Sequence, residues 1–258
     1  MCLVLLSFQV HPESRVILAG NRDEFKNRLA EPPAKMSDSP AIFAGRDLQA
    51  GGTWMGRSST GMMAALTNRR SQKPIPENPL TRGEIVMELL RQNTPEEASR
   101  WLSAQPIAQY RPFNVLFGNT EQFFYFSSEE ATDPVSLAPG NYALSNSFLD
   151  DRSWPKVDRS LQFLSEHSHL PLAEYLTELK QFLGDTTPPD ELDSEGGGLE
   201  VHGVLGAVFI RNTGYGTVSS SIFTTAPGEE MYAFAEEVDL VRNPVTAYRL
   251  IPMEGVKS

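Results

Sequence analysis

The chain is poor in cysteine, histidine, basic residues and long apolar runs, and each shortage removes a class of protein. One cysteine among 258 residues allows no internal disulfide, which excludes a disulfide-stapled secreted scaffold. The four histidines show no zinc-ligand spacing and no Cys-x-x-Cys-His attachment stretch, so no metal site is expected. His167 and His169 close an expected helix, where imidazoles suit the negative end of the dipole better than a ligand role. No stretch approaches the ~20 apolar residues of a membrane helix. The apolar start Met1–Val10 has no basic leader and is cut short by His11-Pro12-Glu13, so it is a poor secretory signal, and a cytoplasmic location is expected. Lys and Arg number 22 against 33 Asp and Glu, a net charge of -11. Such a surface repels phosphate backbones, so nucleic acid is not an expected partner. The Gly196–Gly198 run lacks the Lys-Ser/Thr of a phosphate loop.

What is present is a succession of short β-prone runs interrupted by amphipathic helices. Leu3–Gln9 and Arg15–Ala19, joined by His-Pro-Glu-Ser, read as a hairpin. Ala41–Ala44 and Gly61–Leu66 read as strands on either side of the Gly-rich turn Gly51–Gly56. Helices are expected after Thr81 and Thr94; each is followed three residues later by Glu, a capping-box pattern, and Pro95 suits a first helical position. Phe113–Phe117 and Gln122–Phe126 form a second hairpin around Gly118-Asn119, and Tyr142–Ser145 is a further strand. Trp154–Glu166 and Pro171–Leu183 read as helices and Thr186–Gly198 as a loop. Val204–Ile210 is apolar without a clear period; Thr217–Thr225 and Glu230–Val238 read as closing strands. No repeat or linker divides the chain, so residues 1–258 are expected to form a single α+β domain.

Three features carry chemistry. Cys2 becomes the N-terminal residue if Met1 is removed, and then a thiol stands beside a free α-amine. Model values of ~7.7–8.0 for the amine and ~8.5 for the thiol let the amine take the thiol proton near neutral pH, so one residue supplies nucleophile and base. A position-2 cysteine is more often simply buried. Gly20-Asn-Arg-Asp-Glu-Phe25 ends the second run, and hairpin geometry returns it beside Cys2. A carboxylate there can orient an α-ammonium, and an arginine can hold a substrate carboxylate or favour the thiolate. The competing reading is a polar strand end with Asp23 in an Asx turn. Ala65-Leu-Thr-Asn68 and Ala143-Leu-Ser-Asn146 echo one another. Their amides can donate to an oxyanion, or Asn can merely terminate a strand.

Taken in order, Met1-Cys2, Asn21-Arg22-Asp23-Glu24, Gly52-Thr-Trp-Met-Gly56, Gly61–Asn68, Leu144-Ser-Asn-Ser147 and Tyr215-Gly-Thr217 resemble the blocks of the NRDE family, the transport-and-Golgi-organisation group. That family is similar in layout to the penicillin V acylase and bile salt hydrolase branch of the N-terminal-nucleophile (Ntn) hydrolases. The resemblance implies a four-layer αββα sandwich of two mainly antiparallel sheets. It implies Cys2 as nucleophile, Asp23 as anchor of the α-amine, Asn68 and Asn146 beside the oxyanion, and Asn21 and Arg22 on the substrate side. Two departures stand out. The arginine that precedes the aspartate in those hydrolases aligns with Gly20, and the family's arginine after Tyr-Gly-Thr is Val218 here, with Arg211 as a candidate substitute.

Two functions from different classes follow from the resemblance. One is a hydrolase of linear amide or thioester bonds acting on a small acyl-amide and needing no cofactor. The other is a non-catalytic carrier on the same scaffold, with haem or an acyl lipid as cargo.

Overall fold

The computed structural model describes residues 2–130, 132–189, 204–225, 231–236 and 249–252. The described chain divides into two compact units, and it passes between them several times.

The first unit comprises residues 1–27, 141–145 and 149–252. Its strands are β1 (Cys2–Phe8), β2 (Val16–Phe25), β10 (Gly140–Leu144), β11 (Tyr215–Thr224), β12 (Met231–Glu236) and β13 (Arg249–Pro252), in the order β10-β1-β2-β11-β12-β13. The expected first hairpin is present, with β1 and β2 antiparallel and Leu5 opposite Ala19. Alternation then gives the sheet two faces. Leu3, Leu5, Ile17, Ala19 and Ile222 pack with Phe163 and Leu164 of α3 (Pro155–His167) and with Leu172, Tyr175, Leu179 and Leu183 of α4 (Leu172–Leu183). Val4, Leu6 and Leu18 on the other face are buried as well. Each such side chain contributes ~1.5–3 kcal/mol on burial. The ambiguous run 204–210 resolves into a 3-10 turn, Val204–Gly206, and the buried residues Ala207–Ile210, of which Val208 and Phe209 join that core.

The second unit comprises residues 28–140, 146–148 and 253–258. Its sheet runs β3-β4-β5-β6-β7-β8-β9, from β3 (Ala30–Asp38), β4 (Ala41–Asp47), β5 (Met55–Ser58) and β6 (Met63–Asn68) to β7 (Phe113–Gly118), β8 (Phe123–Ser127) and β9 (Val135–Ser136). All its neighbours pair antiparallel. One face, with Ala64, Leu66, Val115, Phe117, Phe124 and Phe126, packs on Ile85, Val86, Leu89 and Leu90 of α1 (Arg82–Arg91) and on Ala98 and Leu102 of α2 (Pro95–Ser103). The opposite face, with Met63, Ala65, Leu116 and Phe123, is also buried. Each sheet carries a helix layer on one face, and together the elements make the expected α+β fold.

Several local expectations are revised. Asn21–Glu24 is not a strand-to-loop transition: it lies inside β2, between β1 and β11, whose ladders satisfy its backbone. Of the two expected capping boxes, only the second gives a side-chain cap, and its Glu reaches the residue before the cap. Thr94 accepts from the Glu97 amide at 3.2 Å and Glu97 reaches the Asn93 amide at 3.1 Å. Thr81 makes no side-chain cap. Instead α1 is seated by backbone, since a Cβ on Gly52 would meet Gly83 at 2.5 Å, and this close approach accounts for the glycine in the Gly-Thr-Trp block. β3, with two prolines and a mostly exposed face, is an edge strand that its composition conceals. Of the expected 186–198 loop, residues up to 189 carry no regular structure; the remainder, with His202, lies outside the described residues.

Candidate active site

The first unit holds Cys2, Asn21, Arg22 and Asp23. Cys2 opens β1, and its backbone stands opposite Arg22. The chain nitrogen of Cys2 therefore lies at the level of Arg22 and Asp23 on the neighbouring strand. Asn21 and Asp23 share one face of β2, and Arg22 takes the other. All three are buried.

Asp23 is the centre of a buried polar cluster. Lys156 Nζ donates to Oδ2 at 3.0 Å, and both side chains are 0% exposed. Thr217 Oγ1 donates to Oδ1 at 2.6 Å. Thr217 also accepts from the Ile210 amide at 2.9 Å, which directs its proton toward the carboxylate. Tyr215 donates its phenol to the Asp23 carbonyl at 3.2 Å. Between them, Gly216 lets the Ile210 carbonyl approach to where a Cβ would meet it at 2.5 Å, and that carbonyl receives the Thr217 amide at 2.9 Å. Tyr215 and Thr217 thus bond Asp23 directly, and Gly216 makes room for the Ile210 carbonyl that holds the Thr217 amide.

Asn21 is committed within the protein. Its Nδ2 donates to the carbonyls of Leu183 and Val208, each at 2.9 Å, and its Oδ1 accepts from Ser220 at 2.5 Å. It ties β2 to the end of α4, to the 207–210 segment and to β11. Val218 falls at a register shift: Thr217 pairs with Asp23 and Ser219 with Arg22, leaving Val218 in a bulge. Bulges concentrate beside functional sites, where they re-aim side chains. Arg211 is exposed, directly after Ile210.

The second unit holds Asn68 and Asn146 and brings them together. Asn68 is the last residue of β6. Asn146 Nδ2 donates to the Asn68 carbonyl at 2.7 Å, and the Arg70 amide donates to the Asn146 carbonyl at 2.9 Å. Asn114 of β7, fully buried, fixes the next residue by donating to the Ser147 carbonyl at 2.7 Å and to Thr67 Oγ1 at 3.3 Å.

Lys156 and Asn114 were not singled out by sequence reasoning. The available signals were a lysine at a core position of α3, in the buried stripe with Ser160, Phe163 and Leu164, and an asparagine inside the apolar run of β7. His167 is turned inward, its Nδ1 at 2.9 Å from the Phe163 carbonyl and its ring stacked on Phe163. Among the described residues, no group of three or more His, Cys, Asp or Glu is placed to hold a metal ion. No helix among them is long and apolar enough to cross a membrane.

Comparison with solved structures extends over both units. A Caenorhabditis elegans N-acylethanolamine-hydrolyzing acid amidase ortholog matches 97% of this chain and 100% of its own at TM-score 0.59 and 12% identity. The conjugated bile acid hydrolase of Clostridium perfringens, as its C2A mutant, matches 98% of this chain and 92% of its own at TM-score 0.56 and 9% identity. At these identities the likeness establishes the fold, which is that of the Ntn hydrolases. In sequence, the Transport and Golgi organization 2 homolog of Mus musculus is 30% identical over 247 residues, covering 86% of this chain and 87% of its own. The Homo sapiens homolog is 30% identical over 249 residues with the same coverage. With the family model for Transport and Golgi organisation 2 matching residues 1–238, the chain belongs to that family.

Proposed function

We propose that the protein hydrolyses linear amide bonds of a small N-acyl substrate, with Cys2 as N-terminal nucleophile once Met1 is removed. The observation that supports the reading is the β1–β2 register, in which the backbone of Cys2 stands opposite Arg22, the residue before the buried Asp23. The bond class is suggested by the N-acylethanolamine and bile acid hydrolases that share the fold.

In this mechanism the Cys2 α-amine accepts the thiol proton and Sγ attacks the acyl carbonyl. Asp23 orients the amine. The amides of Asn68 and Asn146 stabilise the developing oxyanion, and the bond from Asn146 Nδ2 to the Asn68 backbone carbonyl ties the two residues together. Collapse breaks the C–N bond and the amine passes its proton to the leaving group. Water then attacks the thioester, giving the acid and the free thiol; a thioester substrate would follow the same course with a thiol leaving group. Arg22 receives a substrate carboxylate or favours the thiolate, while Asn21 acts as a brace because its amide is committed. The reading takes residues 1–258 to work as one domain. No cofactor enters the scheme. A cytoplasmic location agrees with the single cysteine.

One observation favours a carrier instead: Val218, apolar and half-buried, occupies the bulge beside Thr217 where the family resemblance leads to an arginine. In that reading haem or an acyl lipid is held by apolar contacts and Cys2 is incidental. A screen of N-acyl amides and thioesters, with haem and acyl-ligand binding measured alongside, separates the two for wild type, Cys2→Ala and Cys2→Ser. Hydrolysis by Met-free wild type that is lost in both variants supports the enzyme. Absence of turnover in wild type, with tight haem binding that survives in Cys2→Ala, establishes the carrier.

A further inference from the structure

We infer that Lys156 is a positioning residue for Cys2 that acts through Asp23, an inference that rests on the amide-hydrolase reading above. Helix preferences do not account for this lysine. It is the second residue of α3, where a cation faces the positive end of the helix dipole. Its side chain is 0% exposed, and removing an ammonium group from water is unfavourable unless a good partner awaits it. That partner is Asp23, which follows the residue paired with Cys2. Thr217 donates to the other oxygen of the same carboxylate, so Lys156 and Thr217 each hold one of its oxygens and Lys156 brings a positive charge to it.

The consequence for Cys2 is electrostatic. Without the charge of Lys156, the Asp23 carboxylate would hold the α-ammonium form to higher pH and would disfavour the thiolate. With Lys156 balancing Asp23, the amine releases its proton at lower pH and is available to take that of Sγ. Among the described residues, other ionisable groups on these elements include Arg22 and Glu24 on β2, Tyr215 on β11, Tyr142 on β10, Asp150 after it, and Asp158 and Arg159 on α3. All of them are common to wild type and variants, so a difference between the proteins reports on Lys156.

The test is the pH dependence of iodoacetamide alkylation of Cys2, the sole thiol, in full-length Met-free protein, with thiolate absorbance as a second readout. Wild type is expected to alkylate with an acid limb below the ~8.5 of an ordinary thiol. Lys156→Met should move that limb up by about one pH unit, roughly a tenfold slower reaction near neutrality. Lys156→Arg, which keeps the charge, should stay near wild type. Lys156→Gln keeps a donor for Asp23 without the charge; it should shift as Lys156→Met does and serves if that variant fails to fold. In an Asp23→Asn background, Lys156→Gln should change nothing further.

A wild-type profile in the folded neutral variant overturns the inference and leaves the hydrolase reading intact. A full shift that persists in the Asp23→Asn background overturns it too, because Lys156 would then act without Asp23. An ordinary thiol profile in wild type overturns both the inference and the reading beneath it.

Discussion

The two units solve the problem of placing polar groups in a core in different ways. In the first unit the cluster is ionic: Asp23 and Lys156, both 0% exposed, with Thr217 completing the carboxylate. In the second it is neutral: Asn114 and Asn146 clamp the ends of β6 and β7 through amide-to-carbonyl bonds. A neutral clamp fixes geometry at modest cost, because amides lose less hydration on burial. A buried ion pair is costlier to desolvate and adds little net stability over an apolar pair. Its presence therefore needs a reason beyond folding, and a site that handles protons offers one.

The largest effects should come from breaking the ionic cluster on one side. Lys156→Met removes the ammonium partner of the buried Asp23 carboxylate, a loss of about 3–5 kcal/mol in chemical denaturation. The double variant Lys156→Met with Asp23→Asn should recover most of that stability, because no charge is left unpaired. Equal losses in the single and double variants would show that Lys156 matters for packing and not for charge.

The amide cluster should respond more in turnover than in stability. Asn146→Ala removes the proposed oxyanion donor and should lower kcat by about 10²–10³-fold, with a small change in stability. Asn114→Ala touches no proposed reacting atom, yet it strips the Ser147 carbonyl and Thr67 of their donor. It should destabilise by about 1–3 kcal/mol. If Asn114→Ala abolished turnover while leaving stability untouched, the division between clamp and oxyanion residue would fail.

How much of this could be read in advance depended on how local each signal was. Both hairpins, the four helices and the Asn119 turn were legible because periodicity and turn chemistry act over a few residues; Asn119 does accept from the Glu121 and Gln122 amides. The Asn-Arg-Asp-Glu block was recognised, but not as the interior of a strand, since its ladders come from β1 and β11. Lys156 was passed over because the contact that explains it is 133 residues away in sequence. Tyr215-Gly-Thr217 is legible as a block, and only the structure shows that Tyr215 and Thr217 bond Asp23. β5, hidden behind a Gly-rich turn, is short and lacks an apolar repeat.

The smallest prediction contrasts two threonines with the same sequence pattern. Thr94→Ala removes a real cap from α2 and should cost about 1 kcal/mol. Thr81→Ala removes none from α1 and should leave thermal stability unchanged. A comparable loss at both positions would mean that the close packing of Gly83 on Gly52 does not seat α1.

The most direct test of the central claim is intact-mass and N-terminal peptide analysis of Met-free protein quenched during reaction with a panel of N-acyl amides. A nucleophilic Cys2 predicts an acyl mass added to the N-terminal peptide, formed and lost at the rate of substrate turnover and missing in Cys2→Ala. Turnover with no adduct at Cys2, or turnover undiminished in Cys2→Ala, would contradict it.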